Sequence, residues 1–239
     1  MSDAMAIAAS GLKSEEYYID ALANDIANLN TPNYKASKIA FSDMVGQGTT
    51  LHHTEKDFSQ GPLKPTNQWS DIAIDGHGFY QVQTPEGEVR YTRNSSFTLD
   101  DDRYLCTQDG LRLSDDIQIP EDFVSVSVKP SGDVEVTLPN EETPQVVGTI
   151  TLAKFYDPSL LTPKGLGLYE ANDKTGEPMV DNPGTSGLGL LTQNHIESAN
   201  VDMVSSLMQL TLAQRVYQLN AKALQMADEM EKIIDDIHD

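Results

Sequence analysis

The two ends of the chain carry one long pattern, and the middle carries a different one. Apolar side chains recur at alternating steps of three and four over residues 5–29 and again over 207–237, whereas the segment between them alternates apolar and polar residues. Steps of three and four place side chains on one face of an α-helix, and alternation places them on one face of a β-strand. The sequence therefore predicts a helix at each end and β-structure between them.

The N-terminal pattern predicts one helix that ends near Asn30. Only Glu15 interrupts its apolar seam, and Pro32 disfavours a helical conformation at the residue before it. A spacing of three and four over this length is typical of a coiled coil. The seam residues that we expect at a helix–helix interface are Met5, Leu12, Ile19, Leu22, Ile26 and Leu29.

The C-terminal pattern predicts a longer amphipathic helix with two apolar lines on adjacent faces. Such a wide apolar surface is broader than one partner helix covers, which favours an assembly. A helical hairpin packed on the β-domain within one chain remains the alternative. The interface residues expected from the first line are Leu212, Val216, Leu219, Met226, Met230 and Ile233, and those from the second are Leu207, Leu210, Tyr217 and Leu224.

The middle of the chain predicts an all-β domain. Alternating residues on both sides of Pro85-Glu86-Gly87 predict a β-hairpin. Further strand patterns are separated by turn residues such as Pro130-Ser131-Gly132-Asp133. These patterns lie at 96–99, 104–107, 124–129, 134–138 and 146–155.

Together these patterns predict an α+β chain. Long N- and C-terminal α-helices form a coiled-coil domain, and a central all-β domain is inserted between them. Helices from opposite ends can meet only if the chain doubles back. We expect the N-terminal coiled-coil helix and following turn at 1–45, a connector loop at 46–70, the central β-domain at 71–190 and the C-terminal coiled-coil helix at 191–239.

The balance of charge excludes two classes of partner. The chain has 37 acidic against 16 basic side chains, a formal net charge of −21. Nucleic-acid binding needs a basic surface, and an anionic membrane repels an acidic chain, so we expect no nucleic-acid partner and no direct membrane insertion. The N-terminus lacks the basic start and the continuous apolar run of a secretory signal, so we also expect no cleaved signal peptide.

No group of residues has the spacing of an active site. His52-His53 has no further metal ligand at a suitable spacing, and 100–102 lacks the Gly and Glu that a calcium loop carries, so a turn is expected there. The glycines of 184–189 lack the Gly-Lys-Ser/Thr of a phosphate-binding loop, and Cys106 has no neighbouring charge to activate its thiol. We therefore predict no catalytic residue, no cofactor and no metal site, so the chain is not expected to be an enzyme.

Three sets of motifs, in order along the chain, resemble those of the bacterial flagellar rod and hook protein family. The first joins 6–12 to 22–35, the second joins 71–82 to 91–97, and the third runs in several pieces from Asn182 to Met230. Together they cover nearly the whole chain.

The resemblance implies a structural subunit of the flagellar basal-body rod, in its distal part, which polymerises through its terminal helices into a tubular drive shaft that transmits motor torque to the hook. The implied partners are further copies of itself in a helical homopolymer, other rod subunits, the hook protein, the surrounding ring proteins and the export apparatus. The implied location is the rod where it spans the periplasm, reached by type III export without a cleaved signal. A proximal-rod or hook-type subunit, or less closely a type III-secreted adhesin or effector, remains an alternative.

One departure from the family's motifs concerns backbone geometry. The family usually has Gly-Phe where this chain has Asn33-Tyr34. Among residues other than glycine, Asn is one of those that best tolerate a positive φ. We therefore expect the turn after Pro32 to be preserved, with Asn33 in the left-handed region.

Overall fold

The computed structural model describes residues 3–44, 48–139 and 143–238. The chain forms two compact units. The first combines Met1–Leu29, Lys35–Asp57 and Val201–Asp239, and the second combines Asn30–Tyr34 with Phe58–Asn200.

The first unit contains two helices, one from each end of the chain, and a two-stranded antiparallel hairpin. The N-terminal helix packs against the C-terminal helix and against both strands. Asp202 caps the C-terminal helix, because its Oδ1 accepts the backbone N–H groups of Val204 and Ser205 at 2.9 and 3.3 Å. The elements of this unit are α1 (Asp3–Ala27), β1 (Ser37–Met44), β2 (Gly48–Lys56) and α2 (Met203–His238).

The predicted fold class is wrong in one respect: the two terminal helices do not form a coiled-coil domain. α1 divides its packing between α2 and the hairpin, and α2 leaves apolar side chains exposed along its length. The first unit is therefore itself a mixture of helix and sheet. The spacing of three and four reports a buried helical face, but it does not report whether a helix or a pair of strands covers that face. The segment expected to be a connector loop, 46–70, contains β2 and a further short strand.

The second unit is built from strands and one 3-10 helix (Pro158–Leu160). The predicted all-β middle of the chain is present, although the expected strand over 146–155 is divided in two at Ile150. The strands are β3 (Leu63–Pro65), β4 (Ile72–Asp75), β5 (Tyr80–Gln83), β6 (Val89–Thr92), β7 (Phe97–Leu99), β8 (Leu105–Thr107), β9 (Arg112–Leu113), β10 (Ser125–Val128), β11 (Asp133–Thr137), β12 (Gln145–Thr149), β13 (Leu152–Lys154), β14 (Thr162–Gly165), β15 (Leu168–Glu170), β16 (Met179–Asp181), β17 (Leu190–Gln193) and β18 (His195–Glu197).

The largest sheet of this unit has seven strands in the order β14-β15-β6-β5-β9-β8-β7. The predicted hairpin is confirmed, because β5 and β6 pair in antiparallel register from Tyr80↔Thr92 to Gln83↔Val89. A three-stranded sheet has the order β10-β11-β12. Three further antiparallel pairs, β13-β16, β17-β4 and β18-β3, connect strands that are distant in sequence.

Two groups of buried side chains form the core of the second unit. The larger group contains fully buried Tyr80, whose hydroxyl donates to the carbonyl of Ile72 at 2.7 Å. The smaller group is aromatic, and Tyr91 meets Phe155 edge to face with ring centroids 4.8 Å apart. Burial raises the pKa of Tyr169, a member of this group, to about 12.

The first and last segments of the second unit are hydrogen-bonded to each other. The N–H of Asn33 donates to the carbonyl of Glu197 at 2.8 Å, and the N–H of Asn200 donates to the carbonyl of Tyr34 at 3.3 Å. Asn33 has a φ of 60°, which confirms the predicted left-handed conformation. Its Oδ1 also accepts the hydroxyl of Ser95 at 2.9 Å. The entering and leaving segments are therefore fixed to each other within the second unit, which we call the β unit.

Neither helix in the described part of the chain combines the length and the apolar character that crossing a membrane requires.

Candidate assembly interface

α2 has apolar side chains on two nearly opposite faces. With a turn of about 100° per residue, the two sets of side chains lie about 140° apart around the helix axis. The sequence pattern predicted two adjacent apolar faces, but the two sets of side chains are not adjacent. We call the half-buried or buried set the inner seam of α2: Ser206, Leu210, Ala213, Asn220, Leu224 and Ala227. We call the exposed set the outer seam of α2: Val204, Met208, Leu212, Leu219, Met226, Met230 and Ile233.

The inner seam of α2 packs against α1. A Cβ added at Gly11 would lie 3.1 Å from Nδ2 of Asn220, so the two helices approach closely at this point. Nearer the other end, the hydroxyl of Tyr18 donates to Oε1 of Gln209 at 3.2 Å. Because a later residue of α1 meets an earlier residue of α2, the helices run antiparallel. Small residues such as Gly11 and Ala213, which is 2% exposed, permit this approach.

The outer seam of α2 is exposed to solvent within the single chain. Met208, Leu212 and Leu219 are 69%, 63% and 65% exposed. The seam spans 29 residue steps from Val204 to Ile233, which is about 43 Å of helix. A line of large apolar side chains of this length on a soluble surface indicates a protein–protein interface.

Glu15 is the one acidic residue in the apolar seam of α1, and its environment is unfavourable for charge. Desolvation by burial raises the pKa of its carboxyl group. The pKa of Tyr18, one turn further along α1, is also raised, first by burial and then by the negative charge of Glu15. The carboxylate at position 15 therefore opposes the packing of the helix pair.

The C-terminal part of α1 is fixed to the hairpin by polar contacts. Asp25 is 3% exposed, and its two carboxylate oxygens accept the N–H of Ser37 at 3.2 and 3.1 Å. Lys56 donates from Nζ to the carbonyl of Lys35 at 3.0 Å and to the hydroxyl of Ser37 at 2.9 Å. Burial lowers the pKa of Lys56, and the negative charge of Asp25 partly offsets that effect.

The sixteen residues predicted at an interface fall into three groups. One is buried, eight are half-buried and seven are exposed. Leu22 is a buried core residue, the half-buried ones are partly covered within the chain, and the exposed ones are available to another molecule. In that order they are Leu22; then Met5, Leu12, Ile19, Ile26, Leu29, Leu210, Val216 and Leu224; then Leu207, Leu212, Tyr217, Leu219, Met226, Met230 and Ile233.

The residues considered for chemistry have structural surroundings. Cys106 is buried and its pKa is raised, chiefly by desolvation, so its thiol is not activated. Asp100 and Asp102 lie at the predicted turn between β7 and β8, and both pair with Arg112. His52 and His53 lie in β2, and their own side chains are outside the described set. Within the described residues, no group of three potential ligands could hold a metal ion.

Sequence reasoning missed a second seam, on the exposed side of α1. Ala9, Lys13, Glu16, Asp20, Ala23 and Ala27 are all exposed. They follow steps of four and three, the same spacing as the buried seam, and are polar or small. A search for apolar residues does not detect them, although their spacing is present in the sequence. We call this set the outer seam of α1.

Two family models match this chain. The model described as the flagellar hook protein FlgE/F/G D1 domain matches residues 73–136, which lie in the β unit. The model described as the flagellar basal body rod FlgEFG protein C-terminal matches residues 192–237, which include almost all of α2.

Individual relatives align along nearly the full length of the chain. The flagellar basal-body rod protein FlgG of Buchnera aphidicola subsp. Baizongia pistaciae is 34% identical over 96% of this chain and 97% of its own length. FlgG of Caulobacter vibrioides is 31% identical over 95% and 96% of the two chains. The rod protein FlgF of the same organism is 28% identical over 97% and 96%.

Two terminal helices with an exposed seam and an inserted β unit, together with these full-length similarities, define the class: the chain belongs to the bacterial flagellar basal-body rod protein family. The resemblance inferred from the sequence motifs is therefore confirmed. Within the family, the full-length FlgG similarities identify the chain as a structural subunit of the distal rod. Its location is the flagellar basal body.

Proposed function

We propose that the subunit polymerises into a tubular rod by burying the outer seam of α2 against neighbouring copies of itself, and that the tube transmits motor torque to the hook. The observation that carries this proposal is the exposed outer seam of α2, with seven large apolar side chains on one face of one helix. These residues include five of the sixteen predicted from the sequence.

The energetics favour assembly through several neighbours at once. Burying the exposed part of a Leu or Met side chain stabilises a contact by about 1–2 kcal/mol, so the whole seam contributes about 7–14 kcal/mol. Association costs about 4–15 kcal/mol in lost translational and rotational freedom. One pairwise contact therefore gives little net affinity. A subunit is held firmly only where other surfaces add to the first, as they do at the end of a growing tube.

The proposed setting follows the family. The partners are further copies of the subunit, other rod subunits and the hook protein, with the ring proteins and the export apparatus around them. The rod spans the periplasm, and the chain reaches it by export without a cleaved signal. One cysteine allows no disulfide within the chain, which suits threading as an unfolded polypeptide. The role is structural and not catalytic.

The proposal is tested by placing charge on the outer seam of α2. We expect Leu212→Asp/Leu219→Asp to abolish polymerisation of concentrated protein, measured by light scattering and electron microscopy. The matched control is Gln214→Asp/Gln225→Asp, which adds the same charge to exposed positions of the same helix outside the seam. The control should polymerise like the unchanged chain, and circular dichroism at 222 nm should show equal helix content in all three. Normal tubes from the seam variant would overturn the proposal.

The form of the polymer separates a rod from a hook. We expect straight tubes, because a drive shaft must be stiff along its axis. Curved tubes from the unchanged chain would favour the hook-type alternative.

A further inference from the structure

We propose that the surface which covers the outer seam of α2 is the outer seam of α1 on a second copy of the chain. This inference rests on the proposed function and adds the partner surface to it. The interface then joins two different surfaces, one from each copy, so successive copies are arranged head to tail.

The two outer seams share the same helical spacing. The outer seam of α1 covers 18 residue steps from Ala9 to Ala27, about 27 Å, and occupies about 80° of the helix circumference. The outer seam of α2 occupies about the same angular width over a greater length. Two helices with matched steps of three and four can pack side by side along the whole of the shorter seam.

The seams are complementary in size. The outer seam of α2 consists of Leu, Met, Val and Ile, which project from the helix. The outer seam of α1 has Ala9, Ala23 and Ala27 at its two ends, which leave space for such side chains. Large side chains on one helix and small ones on the other allow close packing.

The seams are also complementary in net charge, because the outer seam of α1 carries two acids and one cation, Lys13, and the outer seam of α2 is flanked by two cations. Arg215 and Lys222 are exposed and lie within the angular range of the outer seam of α2, about 10 Å apart along the axis. Glu16 and Asp20 occupy the middle of the outer seam of α1, about 6 Å apart. When the two pairs are centred on each other, each acid lies within about 2 Å of a cation along the axis.

These four charges are available for such a contact. Within the described part of the chain, none of the four forms an ion pair with another residue. Arg215 and Lys222 are cations beside an apolar line in a chain with a net charge of −21. They would attract an acidic surface and repel a second copy of themselves.

The contact cannot form within one chain. α1 already packs against the inner seam of α2, about 140° around the axis from the outer seam. The outer seams of one chain therefore face away from each other, and only a second copy brings them together.

Charge exchange tests the inference. We expect Arg215→Glu/Lys222→Glu to raise the critical concentration for polymerisation at least about tenfold, because like charges then face each other. Glu16→Lys/Asp20→Lys should have a similar effect. The chain that carries all four changes should return to within about threefold of the unchanged chain. Circular dichroism should report equal helix content throughout.

A second four-residue variant separates this contact from the effect of net charge. It combines Arg215→Glu/Lys222→Glu with Glu86→Lys/Asp101→Lys, two exposed acids of the β unit, and it has the same net charge as the unchanged chain. It should remain defective, and recovery as complete as that of the seam exchange would overturn the inference.

The outcomes also distinguish this inference from the proposed function. If the α2 variant fails to assemble and the exchange with Glu16 and Asp20 does not rescue it, α1 is not the partner surface, but the outer seam of α2 remains an interface. If Leu212→Asp/Leu219→Asp polymerises normally, the proposed function itself fails.

Discussion

Arg93 donates a hydrogen bond from Nε to Oε2 of Glu197 at 2.9 Å, where the two side chains are only 3% and 1% exposed. The other carboxylate oxygen of Glu197 accepts the N–H of Gly61 at 2.8 Å. The guanidinium group also donates to the carbonyls of Gly76 and Gly78 at 3.0 and 2.9 Å. The pair therefore holds β18, the last strand, in the β unit through a fully hydrogen-bonded buried charge.

We expect Arg93→Ala to lower the free energy of unfolding of the β unit by about 3–5 kcal/mol, because Glu197 would be left as an uncompensated buried carboxylate. Guanidinium titration measures this effect. The fluorescence of Trp69, the one tryptophan of the chain, is a suitable probe because its side chain packs against the core of this unit.

Arg112→Ala is the control for that measurement. Arg112 also pairs with two carboxylates, but its side chain is 41% exposed. Its loss should cost clearly less than the loss of Arg93, because solvent screens this exposed pair. Equal losses in the two variants would contradict the special role of the buried pair.

The second prediction concerns Asn33. Asn33→Ala should lower the free energy of unfolding of the β unit by about 2 kcal/mol, because alanine tolerates a φ of 60° poorly and lacks the acceptor for Ser95. Asn33→Gly should cost less, because glycine adopts this conformation freely. Thermal unfolding of the full chain, followed by Trp69 fluorescence, gives the order of the two variants.

A double-mutant cycle isolates the hydrogen bond of that prediction. Ser95→Ala added to Asn33→Gly should cost less than Ser95→Ala alone, since the partner of the hydroxyl is already absent. Strict additivity of the two changes would refute a contribution from this contact.

The third prediction follows from the raised pKa of Glu15. A carboxyl group whose pKa is higher in the folded than in the unfolded state binds more protons when folded, so its ionisation opposes folding. Stability of the helix pair should therefore fall as pH rises from the ordinary carboxyl pKa of 4.5 through the raised folded pKa. Glu15→Gln should remove that part of the pH dependence and stabilise the helices at neutral pH.

Glu16→Gln is the matched control, since Glu16 is exposed and adjacent in sequence. Unfolding followed by circular dichroism at 222 nm in dilute solution, at several pH values between 4 and 8, compares the two variants. If Glu16→Gln flattens the pH profile as much as Glu15→Gln, burial at position 15 is not the cause.

The fourth prediction concerns the start of α2. Asp202→Ala should destabilise α2 by about 0.5–2 kcal/mol, because the N–H groups of Val204 and Ser205 lose their acceptor. Asp228→Ala removes a carboxylate from the same helix, where it pairs with exposed Lys232 at 2.7 Å, and should cost less, because solvent screens this pair. Hydrogen exchange in the first turn of α2 should accelerate only in the Asp202 variant.

Local patterns predicted much of this fold, and long-range pairing explains what they missed. The hairpin at Tyr80–Thr92 and the left-handed turn at Asn33 depend on neighbouring residues, and both are confirmed. Arg93 and Glu197 are 104 positions apart, so no local signal joins them. The hairpin of β1 and β2 was missed because its Thr- and His-containing sequence lacks a clear apolar alternation.

For the candidate interface, the spacing of apolar residues predicted the helical faces, but it did not predict which face is buried and which is exposed. Leu210 and Leu212 both belong to apolar lines in the sequence, yet one is half-buried against α1 and the other is 63% exposed. Which line is covered depends on where the antiparallel partner lies, and periodicity within one helix carries no information on that.

The outer seams of α1 and α2 differ from each other, and this difference has a consequence for length. If the two seams pair between copies as proposed, the contact does not close on itself in a pair, so every added subunit covers one seam and presents another. Both ends of the polymer then remain able to grow at any size. The proposed contact by itself sets no limit on the number of copies, so a finite rod would require a different molecule at its end or a limited supply of chains.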